Sequence, residues 1–163
     1  MNRFVYDSDT RITPSVLDRL IDREPKLPRE APVSRLQSLN ELKQAVKRDL
    51  EWLLNARQIV GGIPPELKEL SRSLAAYGLP DFSAVSVKSP ADQLWMQRAL
   101  EITISAFEPR LENVMVSLSQ ARDLDHKLRF RIDARIKVEP APEPVTFDTV
   151  LQASTNQYLV KAE

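Results

Sequence analysis

Residues 107–111 read Phe107-Glu108-Pro109-Arg110-Leu111, and the hydrophobic period of the chain changes across them. Upstream, Trp95, Met96, Ala99, Leu100, Ile102, Ala106 and Phe107 recur at helical spacing, while Gln93, Gln97, Glu101 and Ser105 fall every fourth residue on the other side. Ser89 and Pro90 supply an N-cap and a first helical residue, so the pattern predicts a helix over 90–107. Downstream, Val114, Val116 and Leu118 alternate with Met115, Ser117 and Ser119. After a charged turn over 121–127, Leu128, Phe130, Ile132, Ala134, Ile136 and Val138 alternate with Arg129, Arg131, Asp133, Arg135 and Lys137. That is the pattern of a strand with one wet face. Pro109 cannot continue the helix, since it lacks an N–H and its ring clashes with the preceding turn, and it pushes Glu108 out of helical geometry. A carboxylate and a guanidinium therefore flank a stiff corner between helix and sheet.

On the N-terminal side of this corner the pattern is helical. Residues 39–57 carry Leu39, Leu42, Val46, Leu50 and Leu53 on one stripe, with Ser38 and Glu41 spaced as a capping box. A shorter helix is expected over 66–77, with Leu67, Leu70 and Leu74 on one face, Gly78 as its C-cap and Pro80 beyond. Residues 1–37 read as an arm with one short helix, over 15–23, and a Pro-rich linker from Pro25 to Pro32. On the C-terminal side, Val145, Phe147, Thr149 and Leu151 suggest a third strand, and 157–161 a fourth. Helices first and strands second argue for an α+β fold, with N-terminal helices packed on a small, mainly antiparallel C-terminal sheet of three to four strands. The expected organisation is the 1–37 arm followed by a single α+β domain over 38–163.

Composition narrows the chemistry. The 163 residues contain 23 Lys plus Arg, 23 Asp plus Glu, one His and no Cys. A formal charge of zero gives no global pull toward nucleic acid or an acidic membrane, and little colloidal protection outside an assembly. Without Cys, and with only His126, a typical transition-metal site and a thiolate nucleophile are excluded. No stretch approaches the roughly 20 apolar residues of a membrane span. His126 sits beside Asp125 in the charged turn with no nucleophile in a recognisable setting. Glu108 could serve a glycoside hydrolase, but a guanidinium two residues away favours the charged carboxylate, the wrong state for a general acid, and no second carboxylate is marked out.

Charge also falls near the apolar stripe of the 39–57 helix. On a helical wheel Asp49 lies between Leu42 and Ala56, Arg57 lies in line with Leu50 and Leu53, and Arg48, Glu51 and Asn55 point away. Asp49 needs a partner, either within the chain (Arg110 or Arg57) or on a docking helix whose register it would fix. The basic face of 129–137 offers an alternative function as a nucleic-acid-binding module, although Asp133 interrupts it and no aromatic residues interleave.

Three blocks carry a family resemblance: Val46-Lys47-Arg48-Asp49-Leu50-Glu51-Trp52-Leu53-Leu54-Asn55-Ala56-Arg57, Tyr77-Gly78-Leu79-Pro80-Asp81-Phe82 and Phe107-Glu108-Pro109-Arg110-Leu111. In order and spacing they resemble the TssE family of type VI secretion baseplate subunits, a branch of the lysozyme-like wedge family of contractile-tailed phages and related injection machines. Pro14 to Leu20 is similar to that branch as well, so the likeness spans about residues 14–160. Ala56 departs from the Thr that many relatives carry. The resemblance implies a structural, non-catalytic wedge component without cofactor, despite the family's inherited name. Its implied place is cytoplasmic, in a baseplate docked at the inner membrane, without membrane insertion or nucleic acid. Its implied partners are TssF, TssG and TssK, the TssB–TssC sheath and, further, the inner tube protein. It would join the TssF–TssG core to the sheath and help to initiate sheath assembly, its sheet templating the first ring by strand addition. The implied partner interface or corner motif comprises Glu108, Pro109, Arg110, Arg48, Asp49, Leu50, Leu53, Leu54, Asn55 and Arg57. Arg129, Arg131, Asp133, Arg135 and Lys137 would form a sheath-contacting strand. Glu108 and Arg110 would make charge-assisted bonds at the wedge interface or brace it from within, so reversing both charges is expected to leave the isolated fold largely intact but to abolish co-purification with TssF and TssG.

Overall fold

The computed structural model describes residues 12–21, 34–59, 64, 66–82, 85–86, 89–119, 128–152 and 157–162. The Pro25–Pro32 linker and the turn holding Asp125 and His126 lie outside these residues. Helix α1 (Val16–Leu20) starts at Ser15, whose Oγ accepts the Asp18 N–H at 3.2 Å. Helix α2 (Arg35–Asn55) starts four residues earlier than its apolar stripe suggested. Ser34 supplies the N-cap, accepting the Gln37 N–H, so the expected capping box of Ser38 and Glu41 does not form. Ser38 is instead a buried residue inside the helix. The two serines offer the same oxygen, and nothing between them stops a helix.

The helix expected over 66–77 is not α-helical. Two 3-10 turns, Leu70–Arg72 and Leu74–Ala76, are separated by Ser73 in extended geometry, whose Oγ caps the Ala75 N–H. Leu67, Leu70 and Leu74 are all exposed, Leu74 at 87 %. With no face to bury, the segment lacks the tertiary packing that sustains most helices. Helix α3 (Pro90–Phe107) starts at Ser89 and Pro90 as expected, but its buried stripe is Met96, Leu100, Thr103 and Ile104. Ile102 is 69 % exposed, and Trp95 is half-exposed, its ring meeting Phe82 edge-on at 5.1 Å.

Four strands follow: β1 (Leu111–Ser119), β2 (Leu128–Ile136), β3 (Glu143–Gln152) and β4 (Gln157–Ala162). They form an antiparallel meander in the order β1-β2-β3-β4, so the fold is α+β with helices N-terminal to a C-terminal sheet. A bulge between Glu112 and Met115, with Asn113 at φ 53°, kinks the start of β1. Asn is among the residues that tolerate this left-handed geometry. The alternation read from sequence sets the faces. Phe130, Ile132, Ala134 and Ile136 are buried, and Arg129, Arg131 and Arg135 are exposed. One core joins the layers: Val46, Leu50 and Leu54 from α2, Met96, Leu100 and Ile104 from α3, and Ile132, Phe147 and Tyr158 from the sheet. Each fully buried apolar side chain of this kind contributes roughly 1.5–3 kcal/mol. No helix among the described residues is long and apolar enough to cross a membrane.

Candidate functional site

The corner that opens the sheet begins where α3 stops. The Glu108 N–H still donates to the Ile104 carbonyl at 2.8 Å, but Glu108 has left helical geometry at φ −117°, ψ 80°. The Leu111 N–H closes the turn on the Glu108 carbonyl at 3.1 Å, with Pro109 exposed at its tip. The Glu108 side chain folds inward, 4 % exposed, and meets the Arg110 guanidinium in a two-pronged contact: Nε to Oε1 at 2.6 Å and Nη2 to Oε2 at 2.5 Å. The Arg110 N–H adds a third bond to Oε1, at 3.2 Å. Such fork-to-fork pairs are the strong, directional class of charge-assisted hydrogen bonds.

The pair does not end there. Arg110 Nη2 also donates to Asp49 Oδ2 at 2.6 Å, which ties the corner to the middle of α2. Arg48 Nε donates to Asp49 Oδ1 at 2.9 Å, and Arg48 Nη1 to Asp18 Oδ1 at 2.9 Å. Arg48 Nη2 lies 2.8 Å from Asp49 Oδ1 as an ion contact but is buried without hydrogen-bond geometry. The result is a relay of alternating sign, Glu108–Arg110–Asp49–Arg48–Asp18, running from the sheet through α2 to α1. Glu108's hydrogen bond, then Asp49's, outweigh the burial that opposes charge and raise the pKa of Arg110 far above the ordinary value. Burial also opposes charge on Asp18, but hydrogen bonds from Ser15 and Arg48 win and hold its carboxyl below the usual range.

The second block closes the arrangement. Gly78 adopts φ +105°, and a Cβ there would sit 2.6 Å from the Ala56 carbonyl carbon, so the chain passes too close to α2 for any side chain. The Leu79 N–H donates to the Ala56 carbonyl at 2.9 Å, the Gln58 N–H donates to the Leu79 carbonyl at 3.0 Å, and Arg57 pairs with Leu79 in a parallel bridge. Tyr77 stacks edge-on against Phe107 at 5.4 Å. Burial raises the Tyr77 hydroxyl pKa, aided by the carboxylates of Asp49 and Glu108. All three sequence blocks therefore converge on one corner.

The placement of the other candidate residues is mixed. Leu50, Leu53 and Leu54 are buried in the core rather than offered to a partner. Asp49 takes Arg110, and Arg57 lies past the end of α2, where the helical wheel does not apply. Arg48 does not point away but links Asp49 to Asp18 in the relay, its guanidinium 5.0 Å from the centroid of the exposed Trp52 ring. Asn55 reaches β4: its amide donates to the Tyr158 carbonyl at 2.9 Å and accepts the Tyr158 N–H at 2.8 Å. On the 129–137 face, Arg131 pairs with Asp133, Arg135 donates to the Pro142 carbonyl and Lys137 Nζ donates to the Pro109 carbonyl at 2.8 Å. Much of that basic stripe is thus spent within the chain, and Lys137 straps the corner from behind. Sequence reasoning missed Asp18 and Trp52. Asp18 was legible only as the third residue after a capping serine, and Trp52 as the aromatic four residues after Arg48.

No group of His, Asp and Glu among the described residues is arranged to hold a metal ion. Glu108, the one carboxylate that a hydrolase reading could use, is engaged by both prongs of Arg110. The geometry suits the rigid joining of surfaces. Comparison with curated proteins finds no match. Comparison with family models matches residues 40–141, from within α2 to the connection between β2 and β3, which includes Asp49, Glu108 and Arg110. The chain belongs to the family described as baseplate wedge protein gp25, and its role is that of a structural baseplate component.

Proposed function

We propose that the chain is a TssE-type wedge subunit, joining a TssF–TssG core to a TssB–TssC sheath in a cytoplasmic baseplate docked at the inner membrane. The observation that carries this reading is the relay. It fixes the helical side, through α2, and the strand side, through Arg110 at the head of β1, into one rigid body. A part that sets the angle between two neighbours needs such a joint. The helical side presents Trp52, 53 % exposed, beside Arg48 in the first block. Its strand side presents sheet edges, which natural proteins otherwise cover. TssK, and beyond it the inner tube protein, complete the expected neighbourhood.

The test is co-expression of the tagged chain with TssF and TssG. The wild type retains both, and Trp52→Gln loses them while keeping its circular dichroism and a melting temperature close to that of the wild type, since that side chain is half-exposed and the change adds no charge beside Arg48. A wild type that retains neither overturns the wedge assignment. A Trp52→Gln variant that retains both overturns only the placement of the contact on α2.

A further inference from the structure

Helix α3 carries apolar side chains on both of its sides. Its buried stripe is Met96, Leu100, Thr103 and Ile104. Opposite that stripe, Leu94, Arg98, Ile102 and Ser105 recur at spacings of three and four residues, and all are exposed. Trp95 borders them, half-exposed. A surface helix ordinarily keeps its outer face polar, and apolar residues all round mark a helix that is covered on both sides. A single exposed apolar residue needs no explanation, but here they share one seam. A second wall stands beside it. The segment of 3-10 turns sets Arg72 across from α3, and between them lies an open trough of about 620 Å³, lined by Arg72, Glu101, Ile102, Ser105 and Ala106. Leu70 and Leu74 of the same segment are exposed too.

The charges on this surface specify what fits. Arg72 and Arg98 are exposed and make no ion pair among the described residues. Glu101, the carboxylate in the trough, accepts the Val116 N–H of β1 on Oε1 at 2.8 Å. Ile102 therefore lies one helical turn from one unpaired cation and shares the trough with another. An occupant gains from apolar side chains over Ile102 and from carboxylates beside them. The seam from Leu94 to Ser105 runs about 17 Å along α3. An amphipathic helix, with anchors three and four residues apart, matches that length and spacing. The trough is open along one side and does not enclose a small molecule as ligand pockets do.

We propose that the outer face of α3 and the Arg72 segment form a docking surface for an amphipathic helix of a partner protein. Apolar residues of that helix cover Leu94 and Ile102, and its Asp or Glu residues stand against Arg98 and Arg72. This surface is separate from the α2 contact at Trp52 and does not depend on it. A second copy of the chain is a poor occupant, since its α3 would bring another Arg98 to a surface that is already cationic.

The test uses the full chain, isotope-labelled for NMR, and two capped synthetic peptides of about five helical turns. Each has a Leu stripe in an Ala–Gln background, flanked by either two Glu or two Lys. The Glu peptide shifts the amides of Leu94, Arg98 and Ile102 and binds about five-fold more tightly than the Lys peptide, the scale of two exposed charge pairs. The double variant Arg72→Glu, Arg98→Glu inverts that preference. Ile102→Gln weakens binding about ten-fold, the scale of one buried apolar side chain. Its melting temperature stays near that of the wild type, because the side chain is largely exposed. Equal binding of the two peptides overturns the acidic character of the partner. Shifts confined to α2 around Trp52 overturn the placement on α3. No shift on α3 with either peptide overturns the docking surface itself. Dimerisation of the chain that Ile102→Gln abolishes overturns the choice of a partner helix over a second copy.

Discussion

Arg110 is the residue on which the corner turns. Its guanidinium grips the buried Glu108 with two nitrogens and reaches Asp49 with one of them, a geometry that a lysine cannot copy. Removing it would strand a carboxylate that is 3 % exposed. Arg110→Ala is therefore expected to lower stability by about 2–4 kcal/mol in urea unfolding, somewhat less than a fully buried pair because the guanidinium keeps some contact with solvent. Arg110→Lys should recover only part of the loss, and full recovery would mean that charge alone matters. Gly78 is a second residue with no substitute. Its left-handed backbone and its approach to Ala56 both forbid a Cβ, so Gly78→Ala should cost at least about 2 kcal/mol. The same change would be harmless if the bridge between Arg57 and Leu79 were dispensable, and thermal melting separates the two outcomes.

At the scale of elements, two small devices hold what hydrophobic burial leaves loose. Helix α1 buries none of its residues, and Val16 and Leu20 are largely exposed, so its attachment depends on Asp18 and Arg48. Because the folded-state pKa of Asp18 lies below its ordinary value, its contribution is present above about pH 4 and is lost as pH falls through the folded value. The stability difference between wild type and Asp18→Asn should thus be present at pH 6 and shrink progressively as pH is lowered below about 4; a difference independent of pH would reject the ion pair. Strand β4 has its own clamp, and Asn55→Ala should cost about 1–2 kcal/mol and speed hydrogen exchange at the Tyr158 amide. These devices mark the limit of what the sequence made legible. Period and caps revealed α3 and the strands, because alternation and capping are local. Ser34 escaped notice because Ser38 mimics it, and the 3-10 turns because a leucine stripe says nothing about whether a face exists to receive it. The helical wheel narrows the partner of Asp49 to Arg110, Arg57 or a docking helix, but it turns Asn55 outward. Its partner lies 103 residues away, a separation that no helical wheel can see.

For the whole molecule, the relay decides how an assembly defect must be read. Five charges of alternating sign tie the sheet corner, α2 and α1 into one body, and the chain as a whole carries no net charge. Reversing Glu108 and Arg110 together looks conservative, since the two would still attract. In the structure it is not, because a cation would replace a buried carboxylate and a carboxylate at position 110 would face Asp49. The isolated double variant is expected to lose about 3–5 kcal/mol, with Asp49→Asn restoring part of it by removing the new repulsion. Wild-type melting of the reversed chain would show instead that the corner is an interface and not a brace. If it is a brace, lost co-purification of the reversed variant reports a weakened fold rather than a missing contact. Trp52→Gln, which removes no charged member of the relay and adds no charge beside Arg48, then becomes the informative variant for partner binding. The two variants should separate cleanly: one melts early and binds weakly, the other melts like the wild type and does not bind.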